Sequence, residues 1–272
     1  MKKKTNPNDQ TIKLVELNSL GILAGPCESE KDFIKRVNKL KHFSISVEEL
    51  QEKVGSDLHK FEEMYERDLD LKIDWLFEKK KKNWLNILQP ACTWIYHFDD
   101  IHYPILEFKG LNELLNRREI LRHEMIHASR SSFNEPVFEE FIAYSTSDLK
   151  WRSFFGPIFR HSYELYGFAL LSLVLAIPQC CLWTTIAYLG LCSALFARLI
   201  YNQKVFKGAL KKIQSMFDVV SPLSVAIRLT DSEIRLFSRV ENSAIFKYIE
   251  RQSSLRWQQI INSYSLNSTR YF

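Results

Sequence analysis

The chain lacks a cysteine framework. Its five cysteines, Cys27, Cys92, Cys180, Cys181 and Cys192, show no paired spacing, and three of them fall in one apolar tract. This excludes a disulfide-stapled secreted scaffold and a cysteine-rich zinc knuckle, and it points to a reducing compartment. A secretory leader is not expected either. Met-Lys-Lys-Lys is followed by the polar TNPNDQTIK where an apolar stretch would have to stand, and LGILAG at 20–25 is too short to replace it. The N-terminal part is therefore expected to stay in the cytosol. Charge of one sign is not in large excess either. A net +5 over 272 residues, with no nucleic-acid-binding fingerprint, gives no ground for a nucleic-acid partner. With 46% hydrophobic and 25% charged residues, the chain is ordered and long enough to bury a core.

What is present changes character along the chain. Residues 29–89 are charged and helical in rhythm. Ser29-Glu-Lys-Asp32 and Ser46-Val-Glu-Glu49 read as helix starts, and Lys79–Lys82 as a solvated helix face. TWIYHF at 93–98 and IHYPILEF at 101–108 read as two strands joined at Asp99-Asp100. Pro104 should place the second strand near an edge. His97 and His102, within these segments, read as structural.

Between Gly110 and Pro136 there is neither glycine nor proline. Leu114, Leu121, Met125 and Ala128 form the buried stripe of an amphipathic helix. His123 and His127 stand one turn apart on a neighbouring face, with Glu124 between them. Two imidazoles so placed can close on one metal ion, and the carboxylate can take a proton from metal-activated water. A third ligand is offered by NEPVFEEFIAYS just downstream. There Asn134 reads as a cap and Pro136 as the first turn of a second helix. Glu140 is followed one turn later by Ala143, whose small side chain lets two helices approach. Glu139 is the alternative ligand, or else both carboxylates are an exposed acidic pair.

HEMIH followed by a Glu-x-x-Ala helix resembles the gluzincin zinc metallopeptidases, and its short gap the compact minigluzincin branch. Membrane-embedded CAAX-prenyl endopeptidase-like proteins share the Glu-x-x-Ala element. The resemblance covers residues 90–150. It implies an α+β fold, a zincin-like catalytic domain with a small sheet over an active-site helix and a glutamate helix, the edge strand holding a peptide or protein substrate. It implies Zn2+ as cofactor, held by His123, His127 and Glu140, with Glu124 as general base in peptide-bond hydrolysis. Tyr144 stands where the membrane members usually carry aspartate. Ser145, Ser147 or Asp148 could then orient a ligand histidine in its place. For the developing oxyanion the candidates are Tyr144, Arg160, His161, Tyr163 and Tyr166.

Leu165–Ala197 is a run of 33 uncharged residues, divided by Pro178-Gln179 and beyond the length that signals a membrane span. It is expected to form a helical hairpin, with Arg152 and Arg160 before it and Arg198, Lys204 and Lys207 after it. Those flanks keep the catalytic domain and both termini on the cytosolic side. Residues 202–272 read as helical again, with a capping box at Thr230–Glu233. VFKGALKKIQSMF at their start reads equally as a helix on anionic lipid or as an ordinary packed helix. The expected organisation is a tail (1–28), the metallopeptidase domain (29–157), the hairpin (158–201) and a helical segment (202–272). The competing function is a membrane-anchored, non-catalytic interaction or scaffold protein in which HEMIH arises by chance.

Overall fold

The computed structural model describes residues 7–48, 67–73, 75–81, 91–98, 101–109, 117–175 and 182–266. Its helices are α1 (Pro7–Ser19), α2 (Glu30–Glu48), α3 (Arg117–Ser129), α4 (Pro136–Ser145), α5 (Lys150–Phe155) and α6 (Ser162–Leu175). They continue with α7 (Leu182–Met216), α8 (Pro222–Ala226), α9 (Asp231–Arg239), α10 (Asn242–Glu250) and α11 (Leu255–Ser263).

The expected α+β, zincin-like fold is corrected here. The architecture is helical, with 73% helix, and the part whose side chains are described contains no strand. Backbone alone traces three extended segments: β1 (Phe77–Lys81), β2 (Ala91–Phe98) and β3 (Ile101–Lys109). They are ordered β1-β3-β2, β1 running parallel and β2 antiparallel to β3. The physical reason is where the apolar residues fall. Those that close the core recur every three or four positions along α7, α9, α10 and α11, so helix faces close it. Two local readings also change. Ser46 lies inside α2 instead of starting a helix, and Lys79–Lys81 lie in β1 instead of on a helix face. Leu114, Asp99-Asp100 and Pro178-Gln179 lie outside the described residues.

The second half of α7 is the central post. Leu199, Val205, Phe206, Ala209, Ile213 and Met216 are buried along one face. This settles the two readings of residues 205–217: the apolar side packs on protein, not on lipid. Phe138 and Phe141 of α4 stack against Phe206 at 6.1 and 6.0 Å. With Ile142 they form the inner face of α4, which leaves Glu140 and Tyr144 on the side toward α3. Leu121, Met125 and Ala128 of α3 are buried, as their spacing requires.

The first and last described segments both pack into the core. Asn18 and Ile22–Ala24 are buried. Gly21 closes α1 at φ +71, where the Ile22 N–H reaches the Leu17 carbonyl at 3.0 Å in a Schellman turn. Buried Arg228 holds the Asn18 side-chain oxygen at 2.7 Å and the Asn18 carbonyl at 3.1 Å. Glu233 accepts from Arg256 and from the Trp257 indole, both at 2.7 Å. The capping box expected at Thr230–Glu233 is present. Pro136 starts α4, but Asn134 does not cap it: Asn134 takes the left-handed turn at φ 52, and Glu135 precedes the helix without a side-chain cap. Asp231 caps α4 instead, accepting from the Val137 and Phe138 N–H groups at 3.0 Å each. Glu135 returns the favour to α9 by accepting from the Asp231 N–H at 2.6 Å.

Candidate metal centre

His123 and His127 lie on the face of α3 that meets α4. Their Nε2 atoms are 3.2 Å apart. Glu140 completes a triangle, with one carboxylate oxygen 3.5 Å from His123 Nε2 and the other 3.5 Å from His127 Nε2. Elementary geometry says what such a triangle fits. Ligand atoms ~2.0–2.1 Å from zinc at tetrahedral angles are ~3.3–3.4 Å from one another. The three side chains are 13–20% exposed. These three residues are the one group of metal-ligating type that comes together among the described residues.

The three groups shift one another's protonation. For His123, burial first, then the charges of His127 and Arg152, keep the imidazole neutral far below its usual range. Its Nδ1 is buried without a hydrogen-bond partner. Burial pulls His127 down too, but Glu140, the hydrogen bond to Glu139 and the charges of Glu139 and Glu124 outweigh it and lift the pKa to about 10. Burial pushes Glu140 up, with His127 opposing and Glu139 and Glu124 adding, to about 7. Metal-free, the centre therefore stores a proton between a histidine and crowded carboxylates. A divalent cation would replace that proton.

Glu139 and Glu140 do not compete for one role. Glu139 Oε1 accepts from His127 Nδ1 at 2.6 Å, turning the Nε2 of His127 inward. Its other oxygen lies 3.3 Å from Nε of Arg130. Arg130 is buried and donates to the Ile227 and Leu229 carbonyls at 2.7 and 2.9 Å. A chain of contacts thus runs from the turn between α8 and α9 to the His127 ring. Ser145, Ser147 and Asp148 are each engaged away from the histidines. Ser145 donates to the Ile142 carbonyl, Ser147 to Glu119, and Asp148 pairs with Arg122 at 2.7 Å.

Tyr144 stands against His123, ring centroids 4.4 Å apart. Gly156 makes room for it, since a Cβ there would run into the Tyr144 ring. Burial, reinforced by Glu140 and opposed by Arg152, pushes the phenol to about 12. Arg152 faces this ring at 5.8 Å and pairs with Glu119 at 3.3 Å. Of the other oxyanion candidates, His161 stacks on the exposed Tyr163, and Arg160 donates its backbone N–H to Glu164. Arg130, Arg152 and Asp231 carry no local sequence signal, because each acts through partners distant in sequence.

Comparisons with protein families, with curated proteins and with solved structures find no match to this chain.

Among the described residues one helix, α7, is long and apolar enough to cross a membrane. Its apolar window is only 11% buried, whereas a core helix of the same composition would be mostly covered. α6 runs antiparallel to its first half. Ser172 meets the Tyr188 hydroxyl at 3.3 Å, and Phe168 packs on Tyr188. At the inner end Arg198 grips both oxygens of Glu164 at 2.7 Å.

Proposed function

We propose that the chain is a membrane-anchored zinc-dependent endopeptidase. The observation that carries this reading is the triangle of two Nε2 atoms and a carboxylate, whose sides suit a tetrahedral zinc. Zinc held by His123, His127 and Glu140 would supply a Lewis acid and lower the pKa of a water in the open position to about 7. The chain's own residues supply the rest. Glu139 keeps a proton on Nδ1 of His127, so the ligand nitrogen faces inward. Glu124, on the turn between the histidines, takes the proton from the attacking water and returns it to the leaving amine. Tyr144, still protonated at neutral pH, is the phenol nearest the ligands and donates to the oxygen that gains charge.

The exposed apolar surface of α6 and of the first half of α7 supports insertion as a hairpin. α6, at 14 residues, spans only ~21 Å, so local bilayer thinning makes up the difference. The Glu164–Arg198 pair closes the hairpin at its base, where two charges belong at an interface. Basic residues flank both arms, which favours keeping both ends in the cytosol.

Glu124→Gln tests the enzymatic reading. Zinc should stay bound, while hydrolysis of a peptide library falls by about 10²–10⁴-fold. Undiminished cleavage would remove Glu124 from the mechanism. Absence of both zinc and cleavage in the unaltered chain would favour the scaffold reading.

A further inference from the structure

The outward face of α7 changes chemistry within about one turn. Leu189, Phe196 and Ile200, on one stripe, are exposed and apolar, and Lys204, Lys207 and Lys211 continue that stripe as exposed cations. The opposite face of the same segment is fixed in the core by Val205, Phe206, Ala209 and Ile213. The lysine stripe therefore has to face outward.

Arg239, at the end of α9, joins it from the side and donates to the Tyr201 hydroxyl at 2.7 Å. The four cations border a groove of about 730 Å³ that no acidic side chain lines. Lys204, Lys207 and Lys211 make no ion pair among the described residues. Four like charges around one groove repel one another, and an anion in the groove relieves that repulsion.

The location narrows the anion. Lys204 is ~6 Å along the helix axis beyond Ile200, within the ~5–8 Å of a bilayer headgroup layer. Helical side chains lean toward the helix N-terminus, which for α7 is the bilayer side. Lys207 and Lys211 therefore reach back toward the same layer on their long stems. Tyr201 sits between the apolar and cationic parts of the stripe, the position aromatic residues favour at an interface.

We infer that this groove binds the phosphate-bearing headgroup of an anionic phospholipid, seating the base of the hairpin on one leaflet. The inference rests on the membrane-spanning reading but not on the zinc site.

The test uses the full chain in mild detergent, given equal amounts of phosphatidylserine and phosphatidylcholine, with retained lipid read by native mass spectrometry. Phosphatidylserine should be retained preferentially. Lys204→Gln/Lys207→Gln/Lys211→Gln should lose that preference by at least about tenfold, since each cation near an anionic surface is worth about fivefold. The triple lysine-to-arginine variant should keep it, as should Lys31→Gln/Lys35→Gln on the distant α2. Equal retention of both lipids, or an unaffected triple glutamine variant, would overturn the assignment. Alkaline carbonate extraction separates the two levels. Release of the unaltered chain from membranes overturns the span and the groove together, whereas a retained chain without lipid preference overturns the groove alone.

Discussion

At the scale of the residue, Glu139 and Glu140 are neighbours with opposite assignments. A helix turns ~100° per residue, so one carboxylate meets the back of the His127 ring and the other meets both Nε2 atoms. Glu139→Ala should weaken zinc binding by about 10–100-fold without abolishing it, as loss of an outer-shell carboxylate does, measured by chelator competition. Equal loss in Glu139→Ala and Glu140→Ala would contradict the division of roles. The proton on His127 gives a second expectation. His127 titrates at about 10 and Glu140 at about 7 in the metal-free centre, so at pH 8 the proton that zinc must displace sits on His127. Zinc uptake at pH 8 should release close to two protons, one from His127 and one from the water whose pKa zinc lowers to about 7, seen as a dependence of calorimetric heat on buffer ionisation enthalpy. A buffer-independent heat would contradict it. The linked stability has a definite sign: a raised histidine pKa stabilises the metal-free fold fully below pH ~6.5, and that contribution fades as pH rises through about 10. The histidine pair was legible in the sequence because a four-residue spacing fixes a shared helix face whatever the tertiary structure. The choice between Glu139 and Glu140 was not, since it depends on how α4 is rolled against α3, and Phe206 decides that roll from 65 and 68 residues downstream.

At the scale of the element, the glutamate helix is held by its partner across the fold. Pro136 at the start of α4 and the Thr230–Glu233 box of α9 are local devices, and both could be read directly. The cap of α4 could not: Asp231 reaches its N–H groups from 93 and 94 residues away, and Asn134, the local candidate, is used for the left-handed turn. Asp231→Ala should cost about 1–2 kcal/mol in denaturant unfolding and weaken zinc binding, because the start of α4 loses two satisfied donors one turn before Glu140. Unchanged zinc affinity with unchanged stability would show that the cap does not position the ligand. The sheet expected from the zincin resemblance failed for a related reason. Alternating aromatic segments announce extended backbone, but the apolar faces of α7 and α9–α11 supply the packed interior, and their distribution specifies helices.

At the scale of the whole molecule, two bodies of apolar residues are treated oppositely. Those of the core are covered by helices drawn from both ends of the chain, while Leu170, Leu173, Leu182, Trp183 and Leu189 of the hairpin remain exposed. The uncharged run was legible by length alone. Its continuation as a single 35-residue helix from exposed apolar surface into the core was not, because Arg198 reads as an end where it is a contact with Glu164. Reporter fusions at the two termini should give cytosolic signals from both, and opposite-side signals would mean a single crossing. The central claim is metal capture by three residues on two helices that the C-terminal helices hold together. It is tested most directly by the zinc content of the purified full chain, by mass spectrometry, for the unaltered protein and for His123→Ala, His127→Ala and Glu140→Ala, with His161→Ala as control. The account predicts near-stoichiometric zinc in the unaltered and control proteins and its loss in each of the other three; zinc absent from the unaltered chain, or retained by all three ligand variants, would contradict it.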